Sequence, residues 1–358
     1  MIDFVKNNLK DLSDFSAMSK SAGGRNDYVQ GGGGNTSVKL AGGLMAIKAS
    51  GFCLSDIEPD NAYAVLDYEA LRGFYFDNEV SDFEDAEKSG SAFTKEQVRL
   101  IEGLEARRPS VEAGFHSILK KFVCHTHSVY ANLACCSVDC TDITAKAFDG
   151  ADYSWGWVPY TDPGSKLTFA IRDELKRVEH LTGRQPAVIL MQNHGIIVHA
   201  DDIKTCLAIH ADANERLARA FGVTGDSFPH VGLKESENGV FLADSEYLTE
   251  ALKSGNFSYK SFLEAPLYPD QMVFLIGTLF ENKSELSDGE ASVDFEKGAV
   301  TFRMSAKKAQ VIAETLTAVC FIENTVAAAG HELSTMGEAA KSFIANWESE
   351  KYRKSLAK

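Results

Sequence analysis

Three histidines have the types and spacing to bind a metal ion. His125 and His127 are separated by one residue inside an apolar stretch, and His194 follows much later in the chain. Alternate side chains of a strand leave the same face, so His125 and His127 would point into one site. With His194 from a separate strand, they would hold a tetrahedral cation with one position open, as catalytic metal sites do. A His-x-His pair also fits two ordinary core histidines, so the interpretation depends on the residues around it.

Glu112 is the candidate general base beside these histidines. It lies in the first turn of a helix predicted over residues 110–121, which leads directly to the histidine pair. A carboxylate at this position could instead serve only to offset the helix dipole. His116 is four residues further on and shares its helical face, where it could support the site or simply pack.

Several polar residues are candidates for binding an anionic part of a substrate. Residues 31–37 read Gly-Gly-Gly-Gly-Asn-Thr-Ser. Glycines let backbone amides approach an anion closely, and Asn35, Thr36 and Ser37 could donate hydrogen bonds. The tract matches neither a dinucleotide fingerprint nor a Walker loop, and a plain connector is the alternative. Ser50 with Gly51 is a second donor pair, and Ser110 is either a donor at a helix start or a simple N-cap.

The hydrophobic patterning predicts the elements that position these residues. We expect helices at 4–18, 130–136, 165–181 and 201–221, strands at 38–40, 44–49, 64–66, 122–126, 187–192 and 196–199, an extended segment at 155–160, and an acidic loop or lid at 77–91. The pattern breaks at 222–237. Beyond it we expect strands at 272–280 and 293–302 and helices at 306–329 and 336–355. We therefore predict a catalytic domain at 1–229 and an accessory α+β unit at 230–358.

Composition narrows the class of protein. The chain has 358 residues, 44% of them hydrophobic, and a formal net charge of −15. The negative charge argues against a nucleic-acid surface and against an anionic membrane as partners. Seven cysteines, an odd number, indicate reduced thiols and a cytoplasmic location. Cys135, Cys136 and Cys140 lie in an Ala/Leu-rich segment, which favours small core residues over a zinc cluster.

Six short motifs give the chain a resemblance to a known family. They are Gly-Asn-Thr-Ser at 34–37, Ala-Ser-Gly at 49–51, Arg-Pro-Ser-Val-Glu at 108–112, His-Thr-His at 125–127, Val-Pro-Tyr at 158–160 and Asn-His-Gly at 193–195. In this order they resemble the class II aldolase/adducin family, of the fuculose- and rhamnulose-phosphate aldolase type. The rest, including Leu-Tyr-Pro-Asp at 267–270 and the tail at 346–352, resembles a longer subgroup in which a short-chain dehydrogenase follows. This chain would be the front portion, with any dehydrogenase a separate partner.

The resemblance implies a fold and roles for residues. The fold would be α/β, a three-layer αβα sandwich around a mixed, largely antiparallel sheet, commonly assembled as a tetramer, with a smaller C-terminal α/β unit. His125, His127 and His194 would bind a divalent metal, with zinc favoured, and Glu112 would be the catalytic acid/base. Tyr160 would assist protonation in a neighbouring subunit's site. The substrate or phosphate positions would be Asn35, Thr36, Ser37, Ser50, Gly51 and Ser110, although Val111 replaces a second serine and weakens the case for phosphate.

The expected activity is cleavage or formation of a carbon–carbon bond in a ketose or ketose phosphate, through an enediolate that the metal stabilises. The same chemistry in this family serves sugar-phosphate 4-epimerases, dehydratases and decarboxylases. Two alternatives come from other classes. A non-catalytic interaction module of the adducin type predicts missing metal ligands, whereas all three are present here. A metallohydrolase using zinc-bound hydroxide would give hydrolysis products instead.

Overall fold

A computed structural model of the chain describes residues 2–236 and 239–346, without the side chains of residues 345 and 346. The strands of this part are β1 (Asn35–Lys39), β2 (Leu44–Lys48), β3 (Tyr63–Asp67), β4 (Phe122–Thr126), β5 (Trp155–Val158), β6 (Val188–Met191), β7 (Gly195–Ala200), β8 (Gly232–Glu235), β9 (Phe241–Asp244), β10 (Leu279–Glu281), β11 (Glu290–Asp294) and β12 (Ala299–Arg303).

The α-helices of the same part are α1 (Asp3–Asn7), α2 (Leu9–Gly23), α3 (Tyr68–Asp77), α4 (Ala86–Glu96), α5 (Ala113–Ile118), α6 (Val129–Cys135), α7 (Cys140–Ala147), α8 (Ser165–Thr182), α9 (Ile203–Ala220), α10 (Glu246–Lys253), α11 (Tyr259–Glu264), α12 (Pro269–Leu275), α13 (Ala306–Ala328) and α14 (Glu338–Asn346). Short 3₁₀ turns lie at Ala41–Gly43, Leu54–Asp56 and Val80–Asp82.

The first sheet has seven strands in the order β3-β2-β1-β4-β7-β6-β5. Neighbouring strands are antiparallel except for the parallel pair β5–β6. Helices α2, α6 and α9 cover one face, and α3, α5 and α8 cover the other. The predicted α/β sandwich around a mixed, largely antiparallel sheet is therefore confirmed.

Strand β4 lies at the centre of this sheet, hydrogen-bonded to β1 on one side and to β7 on the other. All of its residues are buried. Phe122 and Cys124 belong to the core on the α2 and α9 side, whereas Val123 packs with Ile197 on the α5 and α8 side. Because both faces are covered, the strand reads as a continuous apolar run instead of an alternating one.

The second sheet has five strands in the order β10-β11-β12-β9-β8. Helix α13 packs against β8, β9 and β12 of this sheet and also against α6 of the first layer. One hydrophobic cluster therefore includes residues of both sheets, such as Val38 of β1 and Phe302 of β12, together with Leu133 of α6 and Leu316 of α13. The predicted boundary near residue 230 falls between α9 and β8, and the division into two domains stays a prediction.

Helix α13 is long and apolar enough to span a membrane by length and composition. However, 67% of its apolar window is buried inside the protein. Its buried side chains contact α6, α10 and α12 as well as the second sheet. Helices in the core of a protein have this same composition, so the packing accounts for it.

Four predicted elements differ from the structure. Residues 272–280, predicted as a strand, form most of α12 and the start of β10, because Pro269 begins a helix at its first position. Residues 77–91, predicted as a loop, include the start of α4, which Asp85 caps by accepting from the Lys88 amide at 3.0 Å. Residues 293–302 span parts of two strands joined by a turn. Helix α14 begins at Glu338, and residues 347–355 of the helix predicted there lie outside the described residues, as does most of the tail motif.

Candidate metal centre

The three predicted metal ligands come together in the structure. His125 is near the end of β4, His127 follows that strand, and His194 is in the turn between β6 and β7. The Nε2 atoms of His125 and His127 are 3.2 Å apart. One ligand atom from each of the three residues lies within 4.8 Å of the other two, and all three side chains are buried. Within the described residues, this is the one cluster of three histidines, cysteines or acids that could hold a metal ion.

The loop that carries His194 packs closely against the end of β4, where the other two ligands lie. A Cβ atom on Gly195 would overlap the carbonyl oxygen of Thr126 and lie 3.2 Å from the Cα of His127. Asn193, directly before His194, has a positive φ of 51°, a conformation that asparagine tolerates better than most residues. The Asn-His-Gly sequence therefore has a geometric reason, since it lets a tight turn approach β4.

Hydrogen bonds fix the orientation of two of the imidazole rings. His125 Nδ1 donates to the carbonyl oxygen of Ile196 at 3.0 Å. His127 Nδ1 donates to Asp270 Oδ2 at 2.6 Å. In each ring the proton is then on Nδ1, so the Nε2 lone pair is free to bind a cation. Burial lowers the pKa of His125 to about 3, which keeps this ring neutral, as a metal ligand must be.

The geometry and the donor types fit a divalent transition metal. Two ligand nitrogens of a tetrahedral zinc ion are about 3.3 Å apart, close to the separation of the two Nε2 atoms here. Imidazole donors suit zinc, copper, iron and nickel, whereas magnesium and calcium prefer oxygen ligands. Three protein ligands leave a coordination position for a substrate. The residues present therefore fit the divalent metal that the resemblance implies.

Glu112 lies beside the three imidazoles. Its Oε1 is 3.3 Å from His194 Nε2, and its Oε2 is 3.7 Å from His125 Nε2. Burial opposes ionisation of this carboxyl group, but the neighbouring histidines outweigh burial, so the pKa of Glu112 is lowered. An ionised carboxylate at this place can accept a proton from a substrate held at the histidines.

Asn35 and Ser110 belong to the same cluster. Asn35 Nδ2 donates a short hydrogen bond to Glu112 Oε2 and another to Ser110 Oγ at 3.1 Å. Ser110 Oγ also accepts from the Glu112 amide at 3.3 Å. The side-chain oxygen of Asn35 has no hydrogen-bond partner among the described residues. These contacts place two of the predicted substrate-binding residues against the carboxylate.

Other predicted substrate positions lie further from the histidines. The Thr36 hydroxyl points to the opposite face of β1 and bonds to Ser19 Oγ at 2.7 Å, because alternate residues of a strand face opposite ways. Ser37 Oγ bonds to His116 Nδ1 at 2.7 Å, fully buried behind α5. Ser50 donates its amide to the Arg108 carbonyl at 2.8 Å, which places Ser50 and Gly51 next to the 108–110 segment.

Tyr160 is not in contact with the histidine cluster within the chain. Its hydroxyl donates to Asp162 Oδ1 at 3.4 Å, and its amide donates to Gln192 Oε1 at 3.1 Å. Its ring packs with a cluster that includes Met272 and Phe343. Burial raises the pKa of Tyr160, and the nearby carboxylate of Asp162 raises it further. A role in the site of a neighbouring subunit stays a prediction.

Asp270 is the residue of the site that the sequence analysis missed. It is 1% exposed and contacts His127 from helix α12, 143 residues away in the chain. A signal was present, because Asp270 ends the Leu-Tyr-Pro-Asp motif, which was noted only as a mark of a longer subgroup. The strand predicted to begin at 272 concealed the helix that presents Asp270 to the site.

A cavity of about 880 Å³ opens at Ser110 and Val111. Its walls are α4, the 108–111 segment, the loop before α8, and α14 of the C-terminal part. The charged side chains on these walls are of both signs: Asp85, Glu87, Lys88, Lys95, Arg108 and Asp162. Ser110 contacts Asn35, and Val111 directly precedes Glu112, so the cavity reaches the residues adjoining Glu112.

Several solved structures resemble the chain. One is the N-terminal class II aldolase domain of a conserved protein from Thermoplasma acidophilum, with 22% identity, a TM-score of 0.48 and coverage of 58% of this chain and 92% of that one. YgbL from Klebsiella pneumoniae, described with aldolase, epimerase and decarboxylase as its candidate activities, has 18% identity, a TM-score of 0.41 and coverage of 62% and 92%. A sugar-phosphate aldolase from Thermotoga maritima has 15% identity, a TM-score of 0.39 and coverage of 59% and 91%.

No curated protein sequence matches the chain. Family membership rests on a different comparison, in which residues 14–221, more than half of the chain, match one family as a whole. These residues include His125, His127, His194 and Glu112. The chain therefore belongs to the family described as Class II Aldolase and Adducin N-terminal domain.

Proposed function

We propose that this protein is a metal-dependent aldolase that cleaves or forms a carbon–carbon bond in a ketose or ketose phosphate. The observation that carries the proposal is the convergence of three buried imidazoles with Glu112 beside them. Membership of the class II aldolase and adducin family supports it, and that family also includes proteins without this activity. The complete set of ligands favours an enzyme over an adducin-like interaction module.

The proposed roles follow from the geometry. His125, His127 and His194 would hold a divalent cation, for which we propose zinc, and the cation would supply a Lewis acid for negative charge that develops on the substrate. Glu112 transfers the proton at the nucleophilic carbon of the substrate, since its Oε1 lies close to His194. Asn35 donates to Oε2 and so keeps the carboxylate in this orientation. We propose that Tyr160 protonates the aldehyde oxygen from a neighbouring subunit.

The substrate proposed first is a ketose phosphate. Three cationic side chains, Lys88, Lys95 and Arg108, line the cavity that opens at Ser110. Arg108 is half-buried, whereas Lys88 and Lys95 are exposed. Arginine and lysine bind phosphate through charge-assisted hydrogen bonds. Val111 provides no hydroxyl at the position of a second serine, so the cationic side chains would have to supply that part of the binding. Acidic residues of the same cavity are placed to accept from sugar hydroxyls.

Product analysis tests this proposal. The zinc-loaded protein is incubated with a panel of ketose 1-phosphates and the matching free ketoses, and products are identified by ¹³C NMR. We expect two carbonyl fragments from one phosphorylated ketose, and no reaction after the metal is removed with a chelator. The Glu112→Gln variant, with equal zinc content, controls for a contaminating enzyme.

Other products would overturn the aldolase assignment in defined ways. A single isomeric sugar would indicate an epimerase, loss of water a dehydratase, and release of carbon dioxide a decarboxylase. Hydrolysis of an ester or amide would indicate a metallohydrolase.

A tetrameric assembly, a separate dehydrogenase partner and a cytoplasmic location are further proposals that rest on the sequence. Light scattering of the purified protein would test the first of them.

A further inference from the structure

The C-terminal part of the chain contacts a metal-ligand residue directly. Asp270, on α12, accepts a hydrogen bond from His127 Nδ1 at 2.6 Å, and both side chains are almost fully buried. This helix lies outside the 14–221 segment that matches the family. A carboxylate bonded to the second nitrogen of a ligand histidine fixes its tautomer and increases its basicity, and so strengthens its bond to a metal.

The same part of the chain also holds the loop that carries His194. Asn193 Nδ2 donates to the carbonyl oxygens of Leu267 and Ser334, at 2.8 and 2.7 Å. Ser334 Oγ donates to Asn193 Oδ1 at 3.1 Å. Gln192 Nε2 donates to Ser334 Oγ at 3.2 Å. Two of the three ligand positions are therefore held by residues beyond 265.

Gly33 of the glycine tract lies against the Asp270–His127 pair, where there is no room for a side chain. A Cβ atom on Gly33 would overlap Asp270 Oδ2 and lie 2.9 Å from His127 Nδ1. A Cβ atom on Gly32 would meet no atom closer than the Phe52 carbonyl oxygen, at 4.0 Å. Neither glycine has a positive φ. Position 33 must therefore lack a side chain for the Asp270–His127 pair to fit, whereas position 32 has room for one.

We propose that Asp270 is a positioning residue of the metal centre, which holds His127 in the Nδ1-protonated tautomer and directs its Nε2 lone pair toward the cation. The C-terminal unit is then a structural part of the metal centre and not a separate appendage. This inference rests on the proposed function, because it requires that a cation binds at the three histidines.

The test measures metal affinity, so it does not depend on an assay for the reaction. Zinc is titrated against a chromogenic chelator in the full chain, in Asp270→Asn and in the control Asp139→Asn. Asp139 accepts from His331 Nδ1 at 2.9 Å, so the control removes the charge from a similar pair at a more exposed place outside the site. We expect Asp270→Asn to bind zinc about 10- to 100-fold more weakly and Asp139→Asn to bind it like the wild type.

Two further readouts separate positioning from general damage. The visible spectrum of the cobalt-loaded protein reports ligand geometry, and we expect it to change in Asp270→Asn while the far-UV circular dichroism of the metal-free protein stays the same. If Asp270→Asn fails to fold, Gly33→Ala moves the carboxylate without removing it, and Gly32→Ala is its matched control. We expect weaker zinc binding in Gly33→Ala and wild-type binding in Gly32→Ala.

The outcomes separate this inference from the proposed function. Wild-type protein that binds no divalent metal at these histidines overturns both. Wild-type protein that binds zinc, together with Asp270→Asn or Gly33→Ala variants that bind it equally well and give the same cobalt spectrum, overturns only the role of Asp270.

Discussion

Asn35 is the direct partner of His125 across the β1–β4 ladder, and its side chain donates to Glu112. One strand register therefore aligns a metal ligand with the group that orients the proposed base. A slip of one residue would place Thr36 opposite His125 and turn Asn35 toward the other face of the sheet. The burial of both faces of β4 prevents this slip, so the core determines the relative positions of the two groups.

Loss of one imidazole should abolish metal binding. His127→Ala removes one of three ligands from a buried site, and we expect the zinc content of the purified protein to fall far below one ion per chain, with loss of activity. Elemental analysis measures this. His230→Ala, at an exposed position, is the control and should keep its zinc. Full zinc content in His127→Ala would contradict the ligand assignment.

Glu112→Gln should separate binding of the metal from catalysis. The amide is isosteric with the carboxylate and can still accept from Asn35, so the zinc content should be unchanged, but it cannot accept a proton. We expect kcat to fall at least about 100-fold. The control is Glu314→Gln, which changes a half-buried carboxylate on α13 that contacts Gln310. Unchanged turnover in Glu112→Gln would remove the proposed role.

Acid should destabilise the metal-free protein through its buried histidines. Burial lowers the pKa of His199 to about 3 and that of His210 to about 4. The unfolded chain binds these protons near pH 6.5 and the folded chain does not, so the free energy of unfolding falls as the pH falls from about 6.5 toward 4. Between pH 6.5 and 5 each group contributes a loss of roughly 2 kcal/mol.

Urea unfolding at a series of pH values measures this loss of stability. A His199→Gln variant removes one of the two titrating groups and should show a shallower dependence on pH over the same range. A free energy of unfolding that does not change between pH 6.5 and 5 would show that these histidines are not buried in the neutral form.

Arg108 should contribute to binding of a phosphorylated substrate. It lines the cavity at Ser110, and a charge-assisted hydrogen bond to phosphate is worth about 1.5 to 3 kcal/mol. We expect Arg108→Met to raise KM for the ketose phosphate about tenfold or more with little change in kcat, the pattern of lost uniform binding. The matching free ketose is the internal control, and an equal rise in KM for both sugars would contradict a phosphate contact.

The part of the site that is local in sequence could be predicted. His125 and His127 follow the two-residue period of a strand, and the apolar run before them predicted a buried strand that the structure confirms. The strands of the first sheet could also be predicted, since they are short apolar runs bounded by turns. The helix that begins within residues 77–91 could not be predicted. The first turns of α4 are largely polar and bury only Ala86 and Gly90 before Thr94, so large apolar side chains do not recur there with a helical period.

The contacts that join distant parts of the chain could not be predicted. The run from Met272 to Phe280 is apolar, and short apolar runs do not distinguish a strand from a buried helix by pattern alone. Pro269 is compatible with the first position of a helix, but the apolar residues 272–280 favour a strand in the sequence. Without the helix, nothing in the sequence placed Asp270 beside His127. Similarly, the pairing of Asn193 with Leu267 and Ser334 depends on tertiary packing and leaves no local pattern.

The wide separation of these partners has a consequence for how the protein is made. During synthesis, His125, His127 and His194 emerge from the ribosome before Asp270 and Ser334, which follow them by 76 to 209 residues in the printed sequence. A chain still under synthesis can form the first sheet, but its histidine cluster lacks the contacts that α12 and Ser334 provide until those residues emerge. We therefore expect the three histidines to hold a cation only weakly until α12 and Ser334 have been synthesised and packed against them.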